Sequence, residues 1–139
     1  MTKLHASCAA RQGSGVLLLG PAGSGKSDLL LRLIDRGFVL VADDQVEIDD
    51  GWARPAGGLE GVVEMRGLGL LRLPWRSPVR LALACQLQPS VARLPEPELH
   101  ALGLPLLRLD PRPASAPLLV DHALDCATGR ASLLAGAFG

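Results

Sequence analysis

Residues 20 to 27, Gly-Pro-Ala-Gly-Ser-Gly-Lys-Ser, set three glycines, a lysine and a closing serine in the spacing G-x-x-x-x-G-K-[ST]. Gly20, Gly23 and Gly25 allow positive φ and close backbone approach, so that successive N–H groups around Ser24 converge on phosphate oxygens. Lys26 is a compact cation for β- and γ-phosphates, and the Ser27 hydroxyl is suited to ligate Mg²⁺. A helix beginning there adds its N-terminal partial positive charge. Such a loop binds nucleotide phosphates but does not name the reaction.

Other residues narrow the reaction. Asp43 and Asp44 follow an apolar run, seventeen and eighteen residues after Lys26. Strand ends in open α/β sheets meet ligands, so the pair is placed for chemistry. Two adjacent carboxylates on an extended backbone point to opposite faces, which assigns them different jobs, one towards metal and one towards an acceptor hydroxyl. The competing reading is a turn or cap pair leading into Gln45-Val46-Glu47-Ile48. His5 precedes the loop by fifteen residues, and a lone histidine is as compatible with a surface or core position as with catalysis. Glu64 and Arg66 alternate and so share a strand face, suiting either a metal and a phosphate or an ordinary ion pair.

These residues need elements to hold them. "LHASCAA" and "GVLLLG" read as two strands joined by the turn "RQGSG". From Gly25 the period becomes helical, with Leu29, Leu30, Leu33 and Ile34 on one face and Asp28, Arg32, Asp35 and Arg36 on the other. Gly37 stands where a left-handed cap ends a helix. "FVLVA" is a strand buried on both faces, completing a βαβ-type unit around the loop. Short strands follow in "QVEI", "WARPA", "VVEMRG", "LGLLRL" and "VRLALAC". From Gln86 to Pro117 the chain carries seven of its eleven prolines, which predicts loops around one strand, "LPLLRL". "APLLVDHALDCA" reads as a terminal helix and "ASLLAGAFG" as a turn or tail.

A length of 139 residues predicts a single domain spanning residues 1–139. The chain is 48% hydrophobic and 20% charged, as a globular protein is. Fourteen basic residues balance fourteen acidic ones, which leaves no electrostatic footprint for nucleic acid or an anionic membrane. No apolar run reaches the roughly twenty residues of a membrane span. "MTKLHASCAA" lacks the apolar core of a signal peptide, so a cytoplasmic location is expected. Cys8, Cys85 and Cys126 form no CxxC pair and have no ligand spacing with His5, His100 or His122, which predicts buried free thiols.

Among phosphoryl chemistries, a GTPase would carry an N-K-x-D motif, and the chain contains no asparagine. A motor needs coupling elements that this length hardly accommodates. A kinase needs only a metal-bound triphosphate, a carboxylate for the acceptor proton and an acceptor surface.

Together the motifs resemble one family, HPr kinase/phosphorylase, in a short form without the family's N-terminal domain. "GPAGSGKSDLLLRLIDRG" is similar to its loop and helix, in which a carboxylate (here Asp28) follows the loop serine. "RGFVLVADDQVEI" is similar to R-G-x-x-L-V-A-D-D-x-V-E, and "GVVEMRGLGLL" to G-x-x-E-x-R-G-L-G. The resemblance runs from His5 to about Leu73. It implies an α/β fold of the phosphoenolpyruvate carboxykinase-like type, a P-loop core with a mixed β-sheet and few helices. It also implies ATP- and Mg²⁺-dependent phosphorylation of a serine of the phosphocarrier HPr, with reversal by phosphorolysis, in regulating a phosphotransferase system. In the carried-over roles Asp43 is the general base, and the general acid in reverse, and His5 hydrogen-bonds that Asp. Ser27, Asp44 and Glu64 bind or orient Mg²⁺, and Arg66 faces phosphate or the incoming protein.

Two departures stand out. The family's P-x-R-P-G-R-N-type loop has a partial counterpart in "DPRPASAP", Asp110 to Pro117, without Gly-Arg-Asn. The family's C-terminal helices, which contact HPr across subunits of a hexamer, are shortened or missing, although a homo-oligomer is still among the expectations. The rivals are a nucleotide-binding regulator without transfer, a kinase for another acceptor protein, and a small-molecule kinase, for whose lid only Arg93 is at hand.

Overall fold

The structure is a computed structural model that describes residues 1–138. In chain order its elements are β1 (Thr2–Leu4), β2 (Ala6–Arg11), β3 (Ser14–Leu19), α1 (Lys26–Asp35), β4 (Val39–Ala42), β5 (Val46–Asp49) and β6 (Trp52–Pro55). Then come β7 (Val62–Met65), β8 (Gly69–Arg72), β9 (Val79–Leu87), β10 (Leu106–Leu109) and α2 (Ala116–Ala127). The fold is α/β, a mixed sheet with two helices among the described residues.

β2 and β3 form a hairpin closed by Gln12 and Gly13, both at positive φ (52° and 81°). That backbone twist matches the twist of the paired strands. The helix α1 buries Leu29, Leu30 and Leu33 completely, as its periodicity requires, with Ile34 packed at the margin of the same core. It stops at Gly37 (φ 111°), whose N–H bonds Ile34 O while Phe38 N–H reaches back to Leu33 O, each at 3.0 Å. This pair of bonds satisfies carbonyls the last turn would leave open.

β4 does not return beside β3, as a simple βαβ unit would. Both β3 and β4 pair antiparallel with β2, so the parallel strands β3 and β4 flank β2. The main sheet runs β1-β5-β6-β9-β3-β2-β4, with β10 also on β9, and the hairpin β7–β8 stands apart. β9 lies parallel to β3, while on its other edge its start pairs with β6 and its end with β10. The predicted strands and the terminal helix are present; β1 is an addition that the sequence pattern did not signal.

Side chains alternate across the central strands between two apolar cores. Ala9, Val16, Leu18 and Leu83 pack under α1 and α2. Cys8, Ala10, Leu17 and Val41 pack on the opposite face against Val46, Ile48 and Ala53 of β5 and β6. Burying a leucine such as Leu18 completely contributes about 1.5–3 kcal/mol.

Cys8 and Cys85 are buried free thiols, each pushed up to about 12 by burial, whereas Cys126 is only half-buried. Among the described residues, no helix is long and apolar enough to cross a membrane.

Candidate active site

The loop from Gly20 to Ser27 joins the end of β3 to the first turn of α1. A Cβ at Gly20 would lie 2.6 Å from Ser24 Oγ, so only glycine lets the loop close on itself. Gly23 and Gly25 take φ of 80° and 97°. Ser24 N–H bonds Pro21 O at 3.1 Å, and the Lys26 side chain, almost fully buried, donates to Gly20 O at 2.7 Å and Pro21 O at 3.0 Å. Two features suit this concavity to phosphate. The first-turn amides of α1 have no intrahelical partner, and Gly25 offers no side-chain cap. Ser24 Oγ is buried without a hydrogen-bond partner among the described residues, an expense that an anion's oxygen would relieve.

The two aspartates part company. Asp43 Oδ1 accepts hydrogen bonds from Ser27 Oγ and from Ser7 Oγ, each at 2.9 Å. Asp44 turns away because its backbone is left-handed (φ 70°), and its carboxylate lies 3.2 Å from His5 Nδ1. The resemblance placed His5 on Asp43; the structure pairs it with Asp44 instead. The cause is the left-handed residue at the strand end, which swings Asp44 outward over the residue preceding β2.

His5, Asp44, Lys26, Ser27, Glu64 and Arg66 line one open cleft of about 590 Å³. Glu64 comes from β7 and Arg66 from the turn after it, so the hairpin β7–β8 forms the wall opposite His5 and Asp44. Asp43 is not part of that lining. It sits behind Ser27, which is how a carboxylate orients a metal-ligating hydroxyl. Among the described residues no three His, Cys, Asp or Glu side chains form a metal cage. Ser27, Asp43 and Glu64 are all hard oxygen donors, a set that fits Mg²⁺, which is commonly held by one or two carboxylates together with the substrate's phosphates.

A second cleft, of about 400 Å³, opens on the other side of the loop. Its far wall comes from Leu87 at the end of β9, from Gln88 and Pro89 just beyond it, and from Asp110, Pro111 and Arg112 after β10. Arg112 Nε and Nη2 bond the Asp110 carboxylate, each at 3.0 Å, and hydrogen bonding by Arg112 holds that carboxyl below its ordinary range.

The sequence reading missed Ser7, whose partner is 36 residues away. One signal was available: Ser7 is a polar residue in an otherwise apolar predicted strand, two residues from His5. It also missed the second cleft, whose far wall comes from two segments brought together by the pairing of β9 with β10.

The HPr Serine kinase C-terminal domain model matches residues 1–74, more than half of the chain. The chain belongs to this family. The matched HPr kinase segment contains the loop, both aspartates, His5, Ser7, Glu64 and Arg66, and it ends before β9. Curated relatives named HPr kinase/phosphorylase, from Streptococcus thermophilus strains LMD-9, CNRZ 1066 and LMG 18311, are each 41% identical over 75 residues, half of this chain. The alignment spans only 24% of each relative's length. The solved structure of the Hpr(Ser) kinase/phosphatase from Coxiella burnetii superposes with a TM-score of 0.75 at 22% identity, covering 94% of this chain and 98% of that one. At that identity the likeness establishes the HPr kinase fold, which extends well beyond the segment matched by sequence.

Proposed function

We propose that the chain binds Mg-ATP in the loop Gly20–Ser27 and transfers its γ-phosphoryl group to a serine hydroxyl of HPr or a closely related carrier protein. The observation that carries this is the division of the two aspartates, one bonded to Ser27 and the other beside His5 in the cleft. A kinase needs one carboxylate for metal and one for the acceptor, and these are two such environments on adjacent residues.

In this reading Asp44, rather than Asp43, takes the proton of the acceptor hydroxyl while His5 holds the carboxylate in position. The hydroxyl oxygen then bonds to the γ-phosphorus as the bond to the bridging oxygen breaks, and ADP leaves. In reverse, an oxygen of inorganic phosphate bonds to the phosphoserine phosphorus as the bond to the serine oxygen breaks, Asp44 returns the proton to that oxygen, and pyrophosphate leaves. Lys26 and the loop amides neutralise charge developing on the transferred group, and Arg66 faces that group from the opposite wall. Ser27 would hold Mg²⁺, with Asp43 behind it and Glu64 across the cleft. When bound, the ion would neutralise the phosphate oxygens.

The test is incubation with Mg-ATP and the HPr of the same cell, followed by mass measurement and location of the modified residue. Phosphoserine is expected. Asp44→Asn should lower transfer by about 10²–10⁴-fold with ATP binding kept, whereas Asp43→Asn should weaken metal-dependent ATP binding as well. Unmodified HPr beside demonstrable ATP binding would overturn the transfer reading.

A further inference from the structure

The triphosphate accounts for only part of a nucleotide. Its reacting end belongs with Ser27, Asp44 and Glu64 in the larger cleft, so the rest of the molecule must leave the loop on another side. The smaller cleft shares Ala22, Gly23, Gly25 and Asp28 with the larger one but takes its far wall from the segments around 87–89 and 110–112, where the larger one takes His5, Asp44, Glu64 and Arg66. Resting on the nucleotide-binding reading above, we propose that this smaller cleft holds the nucleoside of the bound nucleotide, with the base against Pro89 and Pro111 and the sugar beneath Arg112.

Charge supports the division of labour. The charged residues of the smaller cleft are paired internally, Asp28 with Arg32 and Asp110 with Arg112, each at 3.0 Å. A balanced wall with apolar stretches suits a neutral, flat group better than phosphate. The larger cleft instead places Lys26 and Arg66 around the reacting end.

The wall is also built to stay in place. Pro111 Cγ would lie 3.3 Å from a Cβ at Gly25, so the segment after β10 rests directly on the phosphate loop. The Arg32 guanidinium ties that segment to α1 by donating to Pro111 O and Pro113 O. Arg112 Nη2 bonds Pro89 O at 3.0 Å, bridging the two walls. Gln88, the one amide side chain in the lining, is already engaged, giving a hydrogen bond to Ser90 O and receiving one from Arg108. Binding there therefore rests on apolar contact and on Arg112. Gln88, Pro89, Pro111 and Arg112 lie outside the segment matched by the family model, so this reading draws nucleoside recognition from the half of the chain that the model does not cover.

The test compares Mg-ATP with Mg-tripolyphosphate, which keeps the phosphates and lacks the nucleoside, by calorimetry on the whole chain. Pro89→Trp fills the cleft from an exposed position, and Arg112→Ala removes the bridge. Both should weaken ATP by tenfold or more and leave tripolyphosphate within about twofold, which also shows that the variants are folded. Equal losses for both ligands, or unchanged ATP affinity in both variants, would overturn the placement. Lys26→Ala should weaken both ligands. A wild-type chain that binds neither ligand would defeat the nucleotide reading itself and this placement with it.

Discussion

Asp43 and Asp44 are chemically identical and adjacent, yet their surroundings differ in what a substitution would remove. Ser7 is fully buried and gives Asp43 one of its two hydroxyl donors. Ser7→Ala should therefore cost about 1 kcal/mol of stability, read from a denaturant midpoint, because a partly buried carboxylate loses a partner. His5 and Asp44 form an exposed pair, with side chains 54% and 64% accessible, and exposed pairs contribute little to folding. His5→Ala should leave the same midpoint within about 0.5 kcal/mol while lowering phosphoryl transfer. A loss of stability from His5→Ala, or none from Ser7→Ala, would contradict the division of the two sites.

At the scale of elements, β2 and the end of α1 are fastened to α2 by ion pairs. Arg11 at the end of β2 bonds Asp121 and Asp125 of α2 and lies 5.8 Å over the Phe38 ring. Arg36, just past α1, reaches Asp121 at 3.1 Å. Burial pushes the Asp121 carboxyl up, but the hydrogen bonds and charges of Arg11 and Arg36 outweigh it, and its pKa is lowered. A carboxyl lowered on folding stabilises above its unfolded pKa of about 3.9, and that stabilisation is lost as pH falls through the folded value. Asp121→Asn should thus cost about 1 kcal/mol at pH 7, with the gap to wild type closing below about pH 4. Thermal melts across pH 2.5 to 7 would check it, and a gap that widens in acid would rule it out.

For the whole molecule, the boundary of the recognised family segment does not coincide with a boundary of the fold. Residues 1–74 end before β9, yet β9 is inserted between β3 and β6 and also carries β10. Without the residues after 74, β3 would have an open edge, and the core under α1 would lose Leu83 and Leu87 of β9 and Val120 and Leu124 of α2. A fragment of residues 1–74 is expected to lack a cooperative thermal transition by circular dichroism, where the full chain shows one. A sharp transition in the fragment would mean that the loop half folds on its own and the later strands are accessory.

Much was legible from the sequence alone, because the relevant signals are local. The loop spacing, the period of α1, the cap at Gly37 and the matched limits of α2 each depend on neighbours within a few residues, and each recurs in the structure. The family motifs carried the residues of the larger cleft for the same reason, being short and contiguous. Tertiary structure decided what those signals could not reach. It put β2 between β3 and β4, brought Ser7 to Asp43, turned Asp44 to His5, and set residues 110–112 against Gly25. Each depends on strand pairing or on one left-handed residue, and pairing is settled by which apolar faces bury one another across the whole sheet rather than by the residues on either side.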